Sequence, residues 1–230
     1  MLSLSVGTAE VSLVDTGAVL IRLYRAQWST NCERVALALA HKRIDVESAL
    51  ISYSDRSPVE RISGQPLVPV IVDDDAVIGD STRILRYLEY RYPEPPLFPR
   101  GAGARAEMDL FLEWFNEVWK QPSDAIEDEL ERESPAPEVI DAAAERIDAW
   151  LDLFDRLLSG RDFLLGDELS AADCAAFPFL KYARGRDPED TELYHRVLDE
   201  HQSIDGRPRL AAWIDRVDAL PRAYGSSVPA

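Results

Sequence analysis

LIRLYRAQWSTNCERVALAL, residues 20–39, is the stretch that decides how this chain folds. Ile21 and Leu23 alternate with Arg22 and Tyr24, the two-residue period of a half-buried strand. Val35, Ala36 and Leu39 then recur at helical spacing. Between strand and helix lies a polar turn that holds Ser29. Asn31 can cap the helix, and Glu33 stands in its first turn, where the helix dipole favours negative charge. A small hydroxyl is therefore expected beside the positive end of a helix. Such a place suits an anion, and a thiolate is one.

Working outward, Val46 to Tyr53 alternates weakly and reads as a second strand. Leu67–Val72 and Ala76–Ile78 form a hairpin pattern around Asp73-Asp74-Asp75. The three carboxylates read as a hairpin turn, because the other ligands of a calcium loop are absent. Ser81 to Tyr90 is then a helix with Ile84, Leu85 and Leu88 facing inward. The order is βαβ followed by ββα. Pro69 interrupts a good strand pattern, and a central strand rejects proline. Val68-Pro69 therefore marks a strand start, an edge or a special turn, and can leave the Val68 backbone free to pair with a bound peptide. Asp80-Ser81 lies where the hairpin ends and a helix begins, so its exposed amides suit a carboxylate.

Residues 93–103, with Pro93, Pro95, Pro96, Pro99, Gly101 and Gly103, read as a linker. Beyond it the pattern is helical. Met108, Phe111, Trp114, Phe115 and Val118 make one stripe; Ile140, Ala144, Ile147, Leu151, Phe154 and Leu158 make another. Ser170-Ala171-Ala172-Asp173 is a capping-box-like start to a helix ending near Gly185, and shorter helices are expected at about 188–201 and 207–220. The expected organisation is an extension over 1–18, a mixed four-stranded sheet with helices over 19–92, the linker over 93–103, and an all-helical domain over 104–224.

At 230 residues and 46% hydrophobic content, the chain can bury a substantial core. Its net charge of −17 argues against nucleic acid or an acidic membrane as partner. No apolar run is long enough to span a bilayer, and the N-terminus makes a poor signal peptide. Cys32 and Cys174 form no disulfide framework and fit a reducing compartment, so a cytoplasmic location is expected. His195 and His201 lack metal-ligand spacing and read as surface residues, and no metal site is expected.

Ser29-Thr30-Asn31-Cys32-Glu33-Arg34-Val35, Val68-Pro69 and Asp80-Ser81, in that order and spacing, resemble the glutathione S-transferase family, and Gly166-Asp167-Glu168-Leu169 with the following Ser170–Asp173 resembles a structural motif of that family's helical domain. The likeness covers about residues 19 to 222. It implies a thioredoxin-like domain followed by a helical bundle, commonly dimeric, that uses glutathione as cosubstrate for conjugation and detoxification. By resemblance, Ser29 would donate a hydrogen bond to the glutathione sulfur, with Thr30 as a neighbouring donor. Val68 would pair its backbone with the cysteinyl unit, with Pro69 in the cis form, and Asp80 and Ser81 would hold the γ-glutamyl end. The glycyl carboxylate would meet His41 or Lys42. The position before Val68, often basic or Gln in relatives, is Leu67 here, with Gln65 nearby.

Cysteine-type relatives carry their nucleophile where this chain has Ser29, so disulfide exchange by that route is disfavoured. Cys32 reads as a small packed residue, with a redox role open if it is exposed. Trp114, Phe115, Trp119 and Tyr182 are the aromatic side chains expected to wall an acceptor pocket, although helical spacing places most of that stripe in the core. Two alternatives stay open. One is a binding or regulatory protein of the same fold; the other is a transferase or isomerase that uses a different thiol.

Overall fold

The structure, a computed structural model, describes residues 20–229; the expected extension over 1–18 lies outside them. Strand β1 (Leu20–Arg25) runs into helix α1 (Thr30–His41), followed by β2 (Asp45–Leu50), α2 (Ser57–Ser63), the hairpin β3 (Val70–Asp73) and β4 (Ala76–Gly79), and α3 (Ser81–Arg91). Then come α4 (Ala102–Trp114), a π-helical turn (Phe115–Trp119), α5 (Gln121–Leu130), α6 (Pro137–Leu157) and α7 (Ala171–Leu180), which closes in a 3-10 turn (Lys181–Arg184). Helices α8 (Leu193–His201) and α9 (Pro208–Asp218) precede a short strand, β5 (Ser226–Val228).

The sheet order is β4-β3-β1-β2-β5. β1 lies parallel to β2 and antiparallel to β3, which closes the hairpin with β4. Four strands match the expectation, and β5 adds a fifth that the sequence reading missed. Its three residues pair in parallel with β2 at Glu47↔Ser226, Ser48↔Ser227 and Ala49↔Val228. Gly225 makes that docking possible, because its φ is +61° and a Cβ there would stand 1.6 Å from the Val46 carbonyl oxygen. Helix α2, also unexpected, is too short for a readable period and carries one buried residue, Val59.

Helix α1 is packed on nearly all sides, between the sheet and the helical half. Its cap is Ser29 and not Asn31: the Ser29 Oγ accepts from the Cys32 backbone N–H at 3.3 Å. Its main partner in the helical half is α7, all ten of whose residues are buried. A helix that is apolar all round belongs at the centre of a bundle. The Ser170–Asp173 capping box is formed, and the buried Asp173 carboxylate also accepts from the Leu164 N–H and the Trp213 indole N–H.

The π-helical turn corrects one stripe. An α-helical repeat from Phe111 and Phe115 leads inward to Val118, but Val118 is 37% exposed and Trp119 is buried instead. The wider turn delays the inward position by one residue. Phe115 and Trp119 consequently stack, with ring centroids 4.5 Å apart. The segment between α3 and α4 is docked and does not hang free. Leu97 and Phe98 are buried, and the Leu97 carbonyl accepts from the Ala171 N–H at 2.8 Å. His195 is buried rather than superficial, held by Asp190 at 2.9 Å and stacked on Tyr182.

Candidate functional site

A cleft of about 810 Å³ runs between the two halves. Its sheet-side wall combines Gln65, Leu67, Val68 and Pro69, ahead of β3, with Asp80 and Ser81 at the start of α3. Asn31 and Arg34 line it from α1, and Asn116, Glu117 and Lys120 line it from the helical half. The volume lies in the range usual for small-molecule sites.

Each wall follows from local sequence. The Val68–Pro69 peptide bond is cis, and β3 begins only at Val70. Asp80 holds φ 68° and ψ 122°, a conformation costing a non-glycine residue about 1–3 kcal/mol. Its carboxylate caps α3 by accepting from the Arg83 N–H at 2.9 Å. Ser81 is buried beside the helix start, and its hydroxyl contacts the Asn31 side-chain oxygen at 3.4 Å. On the opposite wall, the Asn116 amide donates to the Thr82 hydroxyl at 3.0 Å.

Of the residues singled out in the sequence, Gln65, Leu67, Val68, Pro69, Asp80 and Ser81 converge on this cleft. Leu67 is 71% exposed, and Gln65 bonds both its backbone groups. Ser29 is half-buried and does not line this cleft; it lines a separate recess of about 280 Å³ with Glu33, Lys181 and Tyr224. The turn before it strains Trp28 to a φ of 61°, a rare state for so bulky a residue. Thr30 is buried.

Three expectations need correction. His41 and Lys42 lie at the far end of α1 from Ser29 and do not line the cleft. The His41 ring nitrogen pairs with the Pro96 carbonyl, while the Lys42 ammonium donates to Glu89 at 3.0 Å and to the Tyr92 and Pro95 carbonyls. Phe115 and Trp119 are core residues with 0% and 1% exposure, and Trp114 packs edge-on against Trp150, so these rings do not line the cleft. Tyr182 is buried, with its hydroxyl on Asp190, and touches a different depression. Cys32 is 1% exposed, and burial pushes its thiol up to about 11, so it is no ready nucleophile.

What the sequence reading missed is the charge on the inner wall. Arg34 is fully buried at the meeting of the two halves, donating to the Ala175 carbonyl at 2.9 Å and to the Asn116 side-chain oxygen at 2.8 Å. Burial lowers its guanidinium to about 9, which still leaves it charged at neutral pH. Lys120 closes the cleft from the other half. The signal for it was the scarcity of lysine, which made each one worth placing.

Comparisons with known proteins agree with this architecture. Residues 23–96 match the family described as Glutathione S-transferase, N-terminal domain, and residues 137–216 match Glutathione S-transferase, C-terminal domain. Human glutathione S-transferase theta-1 is 30% identical over 163 residues, covering 66% of this chain and 61% of that protein. The mouse theta-1 enzyme is 29% identical over 170 residues, covering 69% and 64%, so the match spans less than two thirds of either relative. The Escherichia coli K12 protein GstB, a glutathione S-transferase, is 28% identical over 70% of this chain and 82% of its own. Among solved structures, a glutathione S-transferase from Rhodospirillum rubrum F11 superposes with a TM-score of 0.70 at 27% identity, covering 89% of this chain and 90% of that one.

Proposed function

We propose that this chain, which belongs to the glutathione S-transferase family, is an enzyme that activates a low-molecular-weight thiol, glutathione foremost, for attack on small electrophilic molecules. The observation that carries this reading is the convergence of Val68, cis-Pro69, Asp80 and Ser81 on one cleft beside the start of α1. In it, the Val68 backbone pairs with the cysteinyl unit, and Ser81 with the α3 N-terminus holds the γ-glutamyl carboxylate. His41 and Lys42 are already committed elsewhere.

The chemistry is a displacement. The sulfur gives up its proton to solvent, attacks the electrophilic carbon with its electron pair, and the leaving group departs with the pair that bound it. A free thiol has a pKa near ~8.5, so lowering it by about two units needs roughly 2.7 kcal/mol of preference for the thiolate. One charge-assisted hydrogen bond of about 1.5–3 kcal/mol plus a helix-dipole term of about 0.3–1 kcal/mol supplies that. Ser29 is the assigned donor: its oxygen accepts from Cys32, which leaves its own proton free to give. Asn31 is the rival, because it lines the larger cleft itself.

The test is turnover of glutathione with a generic aryl halide. Ser29→Ala should lower kcat by roughly ten- to a hundredfold with little change in thiol Kd, and Asn31→Ala exchanges roles with it if the amide is the donor. Absence of turnover with every thiol in a panel, together with absence of thiol binding by calorimetry, sinks the reading. A homodimer acting in the cytoplasm is part of the same proposal. It is supported by exposed Tyr90 on α3 and Leu110 on α4, helices joined by the Arg86–Asp109 pair, and is checked by light scattering.

A further inference from the structure

In a chain of net charge −17, the inner corner of the cleft is cationic. Arg34, Arg83 and Lys120 line the cleft against Asp80 and Glu117, and Asp80 already caps α3. Arg34 is 1% exposed and has no ion-pair partner among the described residues. The groups it bonds or stacks on are neutral, namely a carbonyl, an amide oxygen, the Ser81 hydroxyl and the faces of Phe115 and Phe179, and the Asp80 carboxylate acts on it from beyond ion-pair distance. Its Nη2 is buried with no hydrogen-bond partner among the described residues. Lys120 is likewise without a hydrogen bond or ion pair among the described residues, and its ammonium lies 4.6 Å from the centroid of the same Phe179 ring that faces Arg34. Two cations around one ring, one donor without a partner, and no carboxylate within ion-pair distance of either cation among the described residues, leave this corner able to take an anion. Leaving a buried charge uncompensated is expensive.

We infer that this corner is an anion subsite for the acceptor: the second substrate carries a carboxylate, which docks between the Arg34 guanidinium and the Lys120 ammonium. This rests on the thiol chemistry proposed above. The acceptor is favoured over the thiol because Lys120 and Asn116 belong to the helical half, facing the Val68–Pro69 and Ser81 wall assigned to the thiol. Burial, aided by the nearby Arg34, pushes the Lys120 ammonium down to about 7, as befits a cation whose counter-charge has yet to arrive.

The experiment uses the full chain and matched nitroaryl chlorides, one with a ring carboxylate and one with its methyl ester. It is paired with calorimetry of unreactive nitrobenzoate and nitrobenzamide in the absence of thiol. We expect nitrobenzoate to bind about tenfold or more tighter than the amide, and the acid-to-ester ratio of kcat/KM to favour the acid similarly. Lys120→Gln should bring both ratios toward one, and Lys120→Arg should restore most of each. Equal binding of nitrobenzoate and nitrobenzamide to the unmodified chain, or nitrobenzoate affinity unchanged in Lys120→Gln, overturns the subsite whatever glutathione does. If Lys120→Gln weakens glutathione as much as nitrobenzoate, the anion held is the thiol's own, and the assignment to the acceptor falls. If no acceptor turns over with any thiol while nitrobenzoate binding still depends on Lys120, the subsite stands and the transferase reading fails.

Discussion

Lys42 and Lys120 are both drawn into the protein, and their surroundings could hardly differ more. Lys42 caps the end of α1 with a side chain closed off from solvent and three acceptors around its ammonium, Glu89 among them at 3.0 Å. Lys120 faces the cleft at the other end of the domain boundary, with an aromatic face and no acid within bonding distance among the described residues. A buried cation with its full set of partners holds the fold together. A buried cation without them costs stability and keeps its bonding capacity for something that arrives later.

The largest expected effect breaks the satisfied side. Lys42→Met leaves the Glu89 carboxylate facing the Leu97 N–H alone, and should lower unfolding free energy by about 3–5 kcal/mol in urea titration. Glu89→Gln is gentler, because an amide oxygen still accepts from Lys42 and Leu97; a loss of about 1.5–3 kcal/mol is expected by the same measurement.

The unsatisfied side should behave in the opposite sense. The Lys120 ammonium faces Arg34 on α1, Asp80 at the start of α3, Glu117 in the π-helical turn and Asp124 on α5, and burial leaves its pKa at about 7. Unfolded, it titrates near ~10.4. Between those values the unfolded chain holds a proton that the folded chain has released, so stability rises with pH across that window. Below about 7 both states are protonated and the whole cost of burying the charge is felt. Lys120→Met should remove that slope and exceed the unmodified chain in stability by about 1 kcal/mol at pH 6, as urea titrations across a pH series would report. If Lys120→Met destabilises at every pH, Lys120 is a structural residue like Lys42 and the contrast disappears. An effect of similar size sharpens the α1 start: Ser29→Ala removes a cap and should cost about 1 kcal/mol, a loss Ser29→Asp largely avoids.

Much of the fold is readable from short-range pattern. The β1–turn–α1 unit, the Asp73–Asp75 hairpin, the α3 start at Asp80-Ser81 and the Ser170–Asp173 box each carry their reason within a few residues. The misreadings share one cause: the deciding partner is distant in sequence. Pairing of β5 with β2 joins residues 226 and 47. The fates of His41 and Lys42 depend on Pro95, Pro96 and Glu89, and a basic residue at a helix end looks the same whether it meets a ligand or a carbonyl. His195 reads as superficial until Asp190 and Tyr182 are packed against it. Trp119 looks available for a cleft because periodicity assumes an unbroken α-helix, and one π-helical turn changes which side chain faces inward.

By itself the sequence determined the two halves, their order, the Ser29 turn and the Val68-Pro69 and Asp80-Ser81 positions, because hydrophobic period, proline and capping chemistry act over a few bonds. Only the tertiary structure decided which cations are satisfied and which remain open. That outcome depends on the distance to an opposite charge and on how much water is excluded, and both are set by segments that meet only after the chain has folded.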